Sequence, residues 1–93
     1  MTGFASLWHV AKTNTREDYG IKEFGKKLRQ FRLEKGMTIE ELANTLDLHT
    51  SQVGRIERGE INTSISFVFV FARILKVKPS DFFDFDFDGG TNG

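Results

Sequence analysis

Cysteine is absent from this 93-residue chain, which excludes a disulfide framework and any thiolate metal site. Histidine is scarce: His9 and His49 are the two, and neither has a companion at ligand spacing, so no metal is expected. There is no nucleophile–base pair, no glycine-rich phosphate loop and no pair of catalytic carboxylates. The chain is therefore read as a non-enzyme with no catalytic residue and no cofactor. Long apolar runs are missing as well. The patch Phe4-Ala5-Ser6-Leu7-Trp8 has no basic residue before it and is far too short to cross a bilayer. The expectation is a soluble cytoplasmic protein with no membrane partner, in which the glycosylation spelling Asn62-Thr63-Ser64 has no meaning. Asp84-Phe85-Asp86-Phe87-Asp88-Gly89 spells half of an EF-hand loop. The bidentate Glu of the twelfth position is lacking, so the phenylalanines are read as packing and the aspartates as solubilising.

An excess of charge of either sign is also lacking, with thirteen basic and thirteen acidic side chains. The balance is not uniform along the chain. Residues 22–80 hold eleven basic side chains against seven acidic ones, a net +4, whereas residues 81–93 hold four Asp and nothing basic, a net −4. A neutral total thus conceals a basic segment and an acidic tail, and it is the local field that attracts phosphates.

Apolar spacing predicts helices throughout. Ile21, Phe24, Leu28 and Phe31 recur at intervals of three and four, giving a first helix over residues 21–35 that Gly36 ends. Thr38 and Glu41 form a capping box for a second helix with Leu42, Ala43 and Leu46 on one face. After Asp47-Leu48, a third helix over residues 50–58 buries Val53 and Ile56 and stops at Gly59. Two helices so short and so closely joined read as a helix-turn-helix, whose second helix enters the DNA major groove. A fourth helix over residues 65–76 takes Ser64 as N-cap. Pro79, the one proline, suits the first turn of a brief fifth helix through Ser80, Asp81 and Phe82. Residues 1–20 form an N-terminal extension, 21–83 the DNA-binding domain and 84–93 an acidic, flexible tail.

These residues carry a resemblance. Phe24-Gly25-x-x-Leu28-Arg29-x-x-Arg32, Thr38-x-Glu40-Glu41-Leu42-Ala43, Val53-Gly54-x-Ile56-Glu57-Arg58-Gly59, Ser64-Ile65 and Leu75-x-Val77-x-Pro79-Ser80-Asp81-Phe82-Phe83 occur in the order of the phage-repressor (Xre/Cro) helix-turn-helix family. The run around Gly54–Phe67 looks like the controller proteins of restriction–modification systems. The resemblance implies an all-α, five-helix, lambda-repressor-like domain that binds duplex DNA and regulates transcription. It further implies an ion pair between Arg32 and Glu57 tying the first helix to the third. Three positions depart from the family: Ile39 stands where Gln is usual, His49 where a Ser or Thr N-cap is usual, and Glu60 where Lys is frequent. All three point to weaker phosphate contact.

At roughly 100° per residue, Val53 and Ile56 set the buried direction of the third helix. Ser51, Gly54, Arg55 and Arg58 point away from it, with Thr50 and Gln52 on the flanks. The N-terminal part of a recognition helix goes deepest, so Thr50, Ser51 and Arg55 are expected to read bases, Arg55 through a bidentate bond to guanine. Lys27, Gln52, Gly54, Arg58, Asn62 and the backbone N–H at Ile39 are expected at the DNA backbone.

The fourth helix is apolar almost all round. One stripe, Ile65, Val68, Ala72 and Leu75, suffices for the core of a small domain, which leaves Phe67, Val70, Phe71 and Ile74 as surplus. A homodimer interface would hide them; Phe4, Leu7 and Trp8 folding back would be another cover. A second reading, from a different class, gives the Phe-rich ends to a toxin partner, with an antitoxin's helix-turn-helix serving only autoregulation.

Overall fold

The computed structural model describes residues 16–87; the Phe4-to-Trp8 patch and the last residues of the acidic tail lie outside that range. Among the described residues there are four α-helices, no strand, and one 3-10 segment. The first helix, α1, spans Asp18–Glu34 and so begins before the expected residue 21. Two features absent from the apolar period account for the extra turn. Asp18 places a carboxylate in the first turn, where the helix dipole favours it. Tyr19 packs against Phe85 and Phe87, with ring centroids 6.2 and 5.9 Å away, and its hydroxyl donates to the Asp86 carbonyl at 2.6 Å. Residues 84–87, expected in a flexible tail, therefore lie along the start of α1.

The second helix, α2, spans Ile39–Thr45. Its capping box is formed: the Glu41 N–H donates to Thr38 Oγ1 at 3.0 Å and the Thr38 N–H to Glu41 Oε1 at 2.8 Å. The chain turns at Asp47, which takes φ +57°, and the Leu48 N–H closes the turn on the Ala43 carbonyl at 2.9 Å. Asp tolerates this left-handed conformation better than most residues, but its short side chain gave no warning that it would be used here. The third helix, α3, spans Thr50–Glu57 and the fourth, α4, Ile65–Leu75. Ser64 Oγ caps α4 by accepting from the Phe67 N–H at 3.3 Å. Lys76, expected as the last helical residue, instead takes φ +58° and ends the helix. The expected fifth α-helix is a 3-10 segment, Pro79–Phe83.

The core is one cluster drawn from every element, including Phe24, Leu28, Leu42, Val53, Ile56, Phe71, Leu75 and Phe82. Phe82 anchors the 3-10 segment on α1, its ring 5.1 Å from Phe24 and 5.3 Å from Phe31. This return of the chain corrects the reading of α4. Phe71, assigned to the surplus apolar face, is fully buried at 0% exposure, while Ile65, assigned to the core, is 63% exposed. The buried stripe is Val68, Phe71, Ala72 and Leu75. Because α1 and the 3-10 segment both pack on α4, its inward direction is rotated away from Ile65.

Candidate nucleic-acid interface

The third helix presents Thr50, Ser51, Gln52 and Arg55 to solvent and buries Val53, Gly54, Ile56 and Glu57. Its seat is set by glycine. A Cβ on Gly25 of α1 would lie 2.4 Å from the Glu57 carbonyl oxygen and 2.5 Å from that of Ile56, so the end of α3 rests directly on the α1 backbone. Gly59 continues the contact: it takes φ +72°, and a Cβ there would meet Lys22 Cγ at 2.5 Å.

Arg32 fastens the same crossing. Its Nε donates to Glu57 Oε2 at 2.6 Å, its Nη2 to Glu57 Oε1 at 3.1 Å, and its Nη1 to the Met37 carbonyl at 2.8 Å. The two side chains are 9% and 4% exposed. Glu57's hydrogen bonds raise the Arg32 pKa above its ordinary value. One guanidinium thus holds α1, the loop into α2, and α3; the Met37 contact left no sign in the sequence, because a carbonyl acceptor belongs to any residue type.

Gln52 Oε1 accepts from the His49 N–H at 3.0 Å. The amide carbonyl is used within the protein, and the NH2 has no hydrogen-bond partner among the described residues. Gly54 is not at the outer surface as expected. It is buried, and the space a Cβ would take is bounded by Arg58 Nη1 at 3.1 Å and Ile39 Cδ1 at 3.7 Å. Asn62 is exposed, and its Oδ1 accepts from the Thr63 N–H at 3.1 Å. Lys27 is half-buried on α1. Its neighbours Lys26 and Arg29, with Arg32, Ile39, Gly54, Glu57 and Arg58, line a groove of about 430 Å³ between α1, α2 and α3. Lys26 and Arg29 were not among the expected backbone contacts. Their spacing of three, continued to Arg32, was the available sign that they share one face.

Among the described residues no group of three or more His, Asp or Glu could hold a metal, and no helix is long and apolar enough to cross a membrane.

Comparison with known proteins agrees with this arrangement. A family model described as helix-turn-helix matches residues 28–82. Control protein C.BamHI of Bacillus amyloliquefaciens is 43% identical over 63 residues, 67% of this chain and 78% of that protein. An uncharacterized HTH-type transcriptional regulator of Archaeoglobus fulgidus is 33% identical over 60 residues, 64% of this chain and 86% of that protein. The crystal structure of the restriction–modification controller protein C.AhdI from Aeromonas hydrophila superposes with a TM-score of 0.63 at 35% identity, covering 67% of this chain and 94% of that one.

Proposed function

The chain belongs to the helix-turn-helix family of DNA-binding transcriptional regulators, and from that premise we propose that it acts as a homodimer on a near-palindromic operator in the manner of a restriction–modification controller. The observation that carries the reading is the exposure of Thr50, Ser51 and Arg55 along one side of α3, held there by the Gly25 crossing and the buried Arg32–Glu57 pair. In this reading Arg55 reads a base edge bidentately and Thr50 and Ser51 meet the neighbouring pairs. Lys26, Lys27, Arg29, Gln52 and Arg58 contact phosphates and set register without carrying sequence information. Asn62 is kept as a backbone contact on the strength of its exposure. The similarity to two proteins described as control or controller proteins supports the controller role.

Dimerisation would use the half-buried Phe67, Val70 and Ile74 of α4 without Phe71, which the monomer has already covered. Selection of bound duplexes from a random pool, followed by sequencing, tests the whole reading. Two inverted half-sites with centres ~10 bp apart are expected for a two-fold dimer. Recovery of a single asymmetric site would refute dimeric recognition, and recovery of no preferred sequence would refute sequence-specific regulation.

A further inference from the structure

Building on the DNA-binding reading above, we propose that Glu60 limits affinity by occupying the Arg58 guanidinium and withholding it from a DNA phosphate. Arg58 follows the last residue of α3, and its side chain reaches back over Gly54 into the groove shared with Lys26, Arg29 and Ile39. There Arg58 Nε donates to Glu60 Oε2 at 2.7 Å and Nη2 to Glu60 Oε1 at 3.4 Å. A carboxylate and a phosphate offer a guanidinium the same fork of two oxygens, so the intramolecular acceptor and DNA compete for one donor set.

The backbone keeps Glu60 in place. Its N–H donates to the Arg55 carbonyl at 2.9 Å, and its carbonyl accepts from Arg16 Nη2 at 2.9 Å. The contact shifts both groups in the direction of a formed pair: Glu60 lowers its pKa on Arg58's hydrogen bond, and Arg58 raises its own on Glu60's. Of the other cations that line the groove, Arg32 is held by the buried Glu57. Lys26 pairs with Glu23 across one helical turn, and Arg29 has no carboxylate partner among the described residues.

The pair is exposed, 59% and 50%, and exposed pairs are weak. DNA can therefore displace Glu60, and the effect on affinity is graded, not all-or-none. The salt dependence is the more telling consequence. A complex in which Arg58 stays on Glu60 neutralises one phosphate fewer, and so releases fewer counterions, than one in which Arg58 reaches the DNA.

The test compares wild type, E60Q, R58Q and the R58Q/E60Q double variant. Fluorescence anisotropy would follow binding to a labelled mixed-sequence duplex between about 50 and 200 mM salt, with circular dichroism confirming the fold of each variant. E60Q is expected to bind about 2- to 5-fold more tightly at the low-salt end. Its log–log salt slope should be steeper by up to about 0.9 for each subunit bound. In the R58Q background the same Glu60→Gln change should leave the slope unaltered and give a smaller gain. Equal gains with and without Arg58 would overturn the proposal, because they would report simple repulsion between Glu60 and DNA. So would wild-type binding that E60Q does not move. Failure of every variant, wild type included, to bind any duplex would overturn the DNA-binding reading itself, a pattern distinct from the other two.

Discussion

Arg32 and Glu57 are the two buried charged residues among the described residues, and their value depends on their being together. A guanidinium and a carboxylate taken out of water regain the lost hydration only through their mutual bonds, here reinforced by the Met37 carbonyl. Arg32→Met should leave Glu57 buried without its partner and cost about 3–5 kcal/mol, read from urea denaturation. The Arg32→Met, Glu57→Leu double variant should lose less than Arg32→Met alone, since no stranded charge remains. A double variant no more stable than Arg32→Met would show that a stranded Glu57 charge is not what the single substitution costs. Arg55 differs in kind, being exposed and, among the described residues, forming no ion pair. Arg55→Ala should leave stability nearly unchanged, cost roughly 1–3 kcal/mol on the selected operator, and relax preference at one position of each half-site. Arg29→Ala should weaken binding evenly across sequences. An even loss for Arg55→Ala, measured on operator and scrambled duplexes side by side, would remove Arg55 from base reading.

At the scale of elements, the position of α3 follows from how closely α1 lets it approach. Gly25 is a poor helix former in the middle of α1, and the structure supplies its reason: the Ile56 and Glu57 carbonyls occupy the room of a side chain. Gly25→Ala should raise intrinsic helix propensity yet destabilise the fold by about 1–3 kcal/mol, because backbone cannot yield as a side-chain tip does. It should also lower operator affinity, since α3 must shift outward with its reading face. An unchanged thermal midpoint for this variant would mean that the two helices separate freely and that the crossing does not set the geometry of α3. The α4 helix makes a related point. Its apolar residues exceed what one stripe needs, and the 3-10 segment, anchored by Phe82, selects the stripe containing Phe71.

For the whole molecule, the remaining question is what covers the outer side of α4, where Phe69 is 51% exposed and Phe67, Val70 and Ile74 are half-buried. A two-fold pairing there would set two copies of α3 about one DNA turn apart, roughly 34 Å. Replacing Phe67 and Ile74 by Lys should give a folded monomer, helical by circular dichroism, that has lost most of its operator affinity. Sedimentation decides the matter: a double variant that still sediments as a dimer moves the interface elsewhere, with Ile65 and Phe69 as the next residues to replace. The charge division acts at this scale too. The net −4 of residues 81–93 offsets the net +4 of residues 22–80 only in the sum, and local attraction of DNA to the basic groove is screened separately by salt.

What the sequence by itself determined is whatever depends on neighbours a few residues apart. The Thr38–Glu41 capping box, the Ser64 cap, the stop at Gly59 and the helical period through Phe24, Leu28 and Phe31 are local, and they sufficed for the helix-turn-helix and for the outward direction of Thr50, Ser51 and Arg55. What only the tertiary structure decided is whatever needs distant segments to meet. The start of α1 depends on Tyr19 meeting Phe85 and Phe87. The inward face of α4 depends on Phe82 returning to α1, and the burial of Gly54 depends on Arg58 folding over it toward Ile39. A helix apolar on all sides has no period to read, so its buried face is chosen by the surfaces that reach it.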